Sequence, residues 1–224
     1  MARHDPENLP VTIVLRPLAS PLPIGFFAFS VGSFLFSLPE LGWVGHDQLR
    51  PTALIMLVFV APLELIAGVV AFWARDAGGA TSLCIFGMTW ATVAGVTFYT
   101  SDETVAVLGA FLIAVSFVIL ALAIASASGK PVFAIVLALA SARFVITGLF
   151  HVTGSTAYEE IAGWLGFPLC AAALYLGLAL LLEDLNRATV LPLFRRGTAK
   201  RSVESELREQ VEHVEREAGV RSHL

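Results

Sequence analysis

"VLGAFLIAVSFVILALAIA", residues 107–125, carries no charge and does not alternate apolar with polar positions. A bilayer core needs ~20 mostly apolar residues in an α-helix, and this run supplies them. A membrane β-strand would instead show about ten residues of alternating character. In lipid a helix satisfies its own backbone hydrogen bonds, so the run predicts a membrane-spanning helix over 104–126. Five more stretches read the same way, at 22–44, 51–73, 80–99, 131–153 and 161–183. The connections between them are short, which predicts one all-α bundle with no inserted soluble domain. Composition agrees: 57% of residues are hydrophobic and 14% charged, against roughly 25% charged in a soluble domain.

The charges set an orientation. With the N-terminus in the cytoplasm, twelve of the fourteen Lys and Arg residues lie inside: Arg3, Arg16, Arg75, Lys130, Arg187, Arg195, Arg196, Lys200, Arg201, Arg208, Arg216 and Arg221. The external loops keep only Arg50, and Arg143 falls within a span. This asymmetry predicts both termini inside. The external side is acidic, with Glu40, Asp47, Asp102, Glu103, Glu159 and Glu160. Trp43, Trp73, Tyr99, Tyr158 and Trp164 lie near span ends, as an aromatic belt requires. Residues 1–10 hold Arg3, His4, Asp5 and Glu7, and "VTIVL" is too short for a leader core, so no cleavable leader is expected.

Three regions follow: a cytoplasmic segment 1–20, a membrane domain 21–184, and a cytoplasmic tail 185–224. The tail begins basic, and 195–201 suits anionic headgroups. "SVESELREQVEHVEREA" then spaces Val203, Leu207, Val211 and Val214 as one helical stripe. The stripe fits either a partner-binding helix or a solvated tail.

No soluble-enzyme motif occurs: no GxGxxG, P-loop, HExxH or GxSxG. The histidines at 4, 46, 151, 213 and 223 have no ligand spacing. Catalysis, a metal, a cofactor and a nucleic-acid partner are not expected. Cys84 and Cys170 read as small packing residues within spans.

Charge inside the spans stands out. Glu64 is the thirteenth residue of 51–73, and Arg143 the thirteenth of 131–153, so both fall near mid-membrane at matching depth. An intramembrane charge costs at least ~2.5 kcal/mol on insertion scales and usually faces a partner or a cavity. Glu64 and Arg143 are expected to pair or to share a polar cavity; a purely architectural ion pair fits equally. Pro62 and Pro168 can kink their spans, freeing carbonyls for a solute path or simply shaping the packing. His151, eight residues after Arg143, falls on roughly the same helix face. It reads as a pH-sensing group or a plain interfacial histidine. Gly25, Gly32, Gly68, Gly87, Gly95, Gly163, Gly166 and Gly177 permit close helix packing.

Several blocks, in order, resemble the acetate uptake transporter family. "SPLPIGF" (20–26) is similar to that family's opening Asn-Pro-x-Pro-Leu-Gly signature, with Ser20 in place of the asparagine. "PELGW" (39–43), "IAG" (66–68), "AGWLGF" (162–167), "AAALYLG" (171–177) and "RATVLP" (187–192) resemble later blocks. The resemblance covers about 20–192. It implies a six-helix protomer in a hexameric ring, with a path through each protomer. It makes Ser20, Pro21, Pro23 and Gly25 a cytoplasmic entrance. It implies a constriction at Phe29, Phe86 and a fifth-span residue at or near Ala140, where relatives carry a bulkier side chain. An apolar constriction disfavours hydrated ions and lets a small protonated acid through. Glu64 stands where relatives have glutamine, Leu180 where they have a sixth-span glutamate, and Arg143 lies outside the family pattern. The resemblance therefore implies a multi-pass carrier or channel of the plasma or inner membrane. Its solutes would be small monocarboxylates, acetate first and succinate second, linked to protons. A passive pore for urea, amides or ammonia, and a membrane scaffold acting through 202–217, are the alternatives.

Overall fold

The computed structural model describes residues 18–200 other than 101, 103, 187 and 198. The N-terminal segment before residue 18 and the 202–217 stripe lie outside the described residues. Among the described residues, six helices are long and apolar enough to cross a membrane: α1 Leu22–Glu40, α2 Leu49–Trp73, α3 Ala77–Tyr99, α4 Ala106–Ala127, α5 Pro131–Thr153 and α6 Thr156–Asn186. No strand occurs among the described residues.

Local chemistry sets the ends. Pro21 caps α1 and Pro23 lies in its first turn, where a missing N–H leaves no acceptor unpaired. Asp76 caps α3, its Oδ1 accepting from the Gly79 N–H at 3.0 Å. Gly154, at φ +69°, closes α5 and donates its N–H to the Phe150 carbonyl at 2.8 Å. Two spans differ from expectation by more than three residues at one end. The first runs not to 44 but to Glu40, where Gly42 and Trp43 N–H groups fold back onto the Pro39 and Leu38 carbonyls. The sixth runs past 161–183 at both ends, because a helix continues into the interface where hydropathy no longer marks it.

Helix α2 is interrupted by a π turn at Met56–Val60, in which the Ala61 N–H reaches the Met56 carbonyl five residues back. Pro62 follows at once. Its ring would crowd the carbonyl four residues earlier in a regular helix, and the wider turn relieves that.

Each helix packs on its neighbour in sequence, and α6 returns to α1, so the six form a closed ring. The α4–α5, α1–α6 and α2–α3 contacts are the most extensive. Side chains of α1, α3 and α5 meet in the middle: Phe26, Phe29, Phe86, Trp90 and Phe133 are all in the buried core. After α6 the chain returns beneath the ring. Leu193 is buried, Tyr175 donates its hydroxyl to the Pro192 carbonyl at 2.9 Å, and Arg196 donates its N–H to the Gly129 carbonyl at 2.9 Å. Arg195 pairs with Glu183.

Candidate functional site

Two hollows lie at opposite ends of the ring. The larger, about 290 Å³, is lined by Glu40, Arg50, Thr97, Thr147, His151 and Glu159 among others. The smaller, about 40 Å³, is lined by Leu22, Asp76, Lys130, Phe133, Leu180 and Arg195 among others. Lys130 and Asp76 pair there at 2.8 Å.

Between them lies an aromatic stack. Phe29 of α1 and Phe86 of α3 are fully buried with ring centroids 4.4 Å apart. Phe86 meets Phe144 of α5 edge-on at 6.0 Å. Trp90 lies 6.1 Å from Phe29 and 5.9 Å from Phe36, and Phe26 meets Phe133 at 5.8 Å. Three of the ring's helices therefore touch through flat apolar side chains. Ala140 is buried on α5, but the aromatic that reaches Phe86 from that helix is Phe144, one turn further on. The residues expected to form an entrance lie toward the smaller hollow. Pro23 and Gly25 are buried, Ser20 and Pro21 half-buried, and a Cβ at Gly25 would press on Leu83 at 2.7 Å.

The two intramembrane charges do not pair with each other. Glu64 Oε1 accepts from the Trp90 indole N–H at 3.2 Å, and its Oε2 is buried with no hydrogen-bond partner. Arg143 bonds instead to Glu40: Nη2 donates to Oε2 at 2.7 Å, with both side chains under a tenth exposed. Arg143 Nη1 donates to the Ser33 carbonyl at 3.2 Å and to Ser37 Oγ at 2.9 Å. The Phe36 ring covers the guanidinium, its centroid 5.9 Å from Cζ. A Cβ at Gly166 would overlap Nη1 and Ser37 Oγ, so α6 makes room for the charge by lacking a side chain. Trp90 and Phe36 stand between the two charges, one ring contacting each. The reason is register: Glu40 sits on the final turn of α1 and reaches sideways to α5, while the Glu64 side chain turns to α3.

His151 lines the larger hollow with Glu40, and its Nδ1 accepts from the Val105 N–H at 3.4 Å. Thr147 contacts Glu40 Oε1 at 3.5 Å. Sequence reasoning missed Glu40 as a partner, as well as Trp90, Phe144 and the Ser37–Gly166 cradle. An acid next to Pro39 at the end of a span was the one signal available for Glu40.

Comparison with known proteins adds three findings. Residues 5–195 match the family model described as the GPR1/FUN34/yaaH family. The chain is 24% identical over 182 residues to the succinate-acetate/proton symporter SatP of Escherichia coli K12, covering 79% of this chain and 95% of that protein; the Shigella flexneri protein matches to the same extent. The solved structure of the bacterial acetate channel SatP superposes with a TM-score of 0.72 at 22% identity, covering 79% of this chain and 99% of that one. That likeness is one of fold.

Proposed function

The chain belongs to the GPR1/FUN34/yaaH family, and from that membership we propose that it carries small monocarboxylates across the membrane, acetate first and succinate second. One observation supports this reading above the others: two hollows at opposite ends of the bundle are separated by buried rings from α1, α3 and α5. An ionised carboxylate stripped of water meets a penalty of tens of kcal/mol by the Born measure, whereas an uncharged polar group loses roughly 2–7 kcal/mol. The stack therefore favours the protonated acid, which links transport to protons. Phe29 and Phe86 act as the constriction, with Phe144 filling the side that Ala140 leaves open. Both termini are cytoplasmic, on the arginine and lysine asymmetry. This makes the larger hollow the outer one and Ser20, Pro21, Pro23 and Gly25 the inner entrance. His151 faces the outer hollow as a pH-responsive group, and the protomers assemble as a hexamer.

A passive pore for small neutral solutes is the second reading. It is favoured by the absence of charge from the Phe29–Phe86–Phe144 contact. Uptake of labelled acetate into proteoliposomes separates the two. The carrier reading expects saturable uptake that rises with an inward proton gradient. Equal flux of urea and acetate, indifferent to that gradient, selects the neutral pore. No flux of any solute, with a partner held by the tail, selects a scaffold.

A further inference from the structure

Most of the contacts to the Arg143 guanidinium come from groups other than Glu40. The Ser33 carbonyl and Ser37 Oγ take Nη1, Phe36 covers the face, and the gap at Gly166 admits the group. Glu40 adds one short bond, to Nη2, and a long 3.5 Å contact from Thr147. Glu40 also ends α1, where the negative end of the helix dipole disfavours a carboxylate. Arg143 does not line the larger hollow, whereas Glu40 does. Among the described residues, the Glu40 carboxylate both bonds Arg143 and lines that hollow.

We propose that Arg143 is the carboxylate-recognition residue of this protein and that Glu40 occupies its site as an internal stand-in, displaced by the carboxylate of the incoming solute. The inference rests on the transport reading above and names the residue that recognises the carboxylate before it takes up a proton and enters the stack as the neutral acid. Exchange keeps one carboxylate on Nη2 throughout, so Arg143 never becomes a bare buried charge. Glu40 turns instead into the hollow, which is large enough for water and lined by Arg50 and His151 as well as by Asp47, Asp102 and Glu159. A small acid is selected because the only donor exchanged is Nη2, which Glu40 vacates beside the Phe36 ring.

The test uses the full chain carrying Glu40→Gln, Arg143→Gln and both together. It is read by acetate-dependent thermal shift in detergent and by acetate against acetamide uptake in proteoliposomes. Glu40→Gln removes the competing anion and should lower the half-effective acetate concentration about tenfold. Arg143→Gln should abolish the acetate shift and bring acetate and acetamide uptake to the same rate. The double variant leaves no lone charge in this cradle, so it decides the matter if a single variant fails to fold. It should also show no acetate shift. An acetate shift of normal midpoint in the double variant, or in both single variants, overturns the assignment and leaves the ion pair architectural. A shift that obeys these expectations in a protein with no acetate flux would sink the transport reading and keep Arg143 as an acid-binding residue.

Discussion

At Gly166 an absent side chain does structural work. A methyl group there would meet Arg143 Nη1 and Ser37 Oγ, and neither can retreat, because Ser37 Oγ donates to the Ser33 carbonyl at 2.8 Å and Arg143 is enclosed. Gly166→Ala should destabilise the protein by about 1–3 kcal/mol, as overpacking does. Gly95→Ala, where a Cβ meets nothing within 4 Å, should be neutral or slightly stabilising. Melting curves of the purified variants in detergent compare the two, and equal melting temperatures would show that the cradle is soft. Arg143 could be singled out in the sequence because charge is rare and costly within a span. Its partner could not, because Glu40 lies 103 positions away and Pro39 makes it look like the start of a loop. Glu64 was visible for the same reason as Arg143. The direction its carboxylate faces was not, since that depends on whether α3 or α5 stands beside α2.

Among the elements, α4 and α5 make the closest crossing. A Cβ on Gly109 would meet the Gly148 carbonyl at 2.6 Å, and a Cβ on Gly148 would meet the Gly109 carbonyl at 2.8 Å. The two glycines are reciprocal, so backbone lies on backbone with no side chain between, as in small-residue packing of membrane helices. Gly148→Val should push α4 away from α5, lower the melting temperature by several degrees and speed proteolysis at the 128–130 connection. A variant that melts with wild type would contradict this crossing. Hydropathy located every span in the sequence, and the fifth matches Pro131–Thr153 at both ends. It missed the first turn of the sixth because polar residues such as Tyr158 and Glu159 are still helical once outside the oil. The π turn in α2 was not legible at all. One extra residue in a turn changes hydrogen bonding and not composition, and Pro62 was its single trace.

For the molecule as a whole, consecutive packing with α6 closing on α1 gives a ring whose outward face is apolar: Val58, Val107, Phe117 and Ile124 are all exposed. Such a face belongs in lipid or against other protomers. The proposed orientation is checked with an impermeant maleimide on intact cells. Cysteine at Asp102 should label from outside, and cysteine at Ser128 only after permeabilisation. The reverse pattern would invert the molecule. The six-span order was readable from apolar runs alone. The closed ring was not, because which helices touch depends on side chains that meet only once the chain has turned back on itself. If solute passes by the proposed path, the unequal hollows, about 290 Å³ against about 40 Å³, give the protein a sidedness of inhibition. A carboxylate too thick for the Phe29–Phe86 contact can lodge in the wide antechamber and plug it, while from the narrow face it finds no lodging. Blockade by such an acid is therefore a property of one bathing solution only, and a current or flux that it arrests from one side continues when it is supplied from the other.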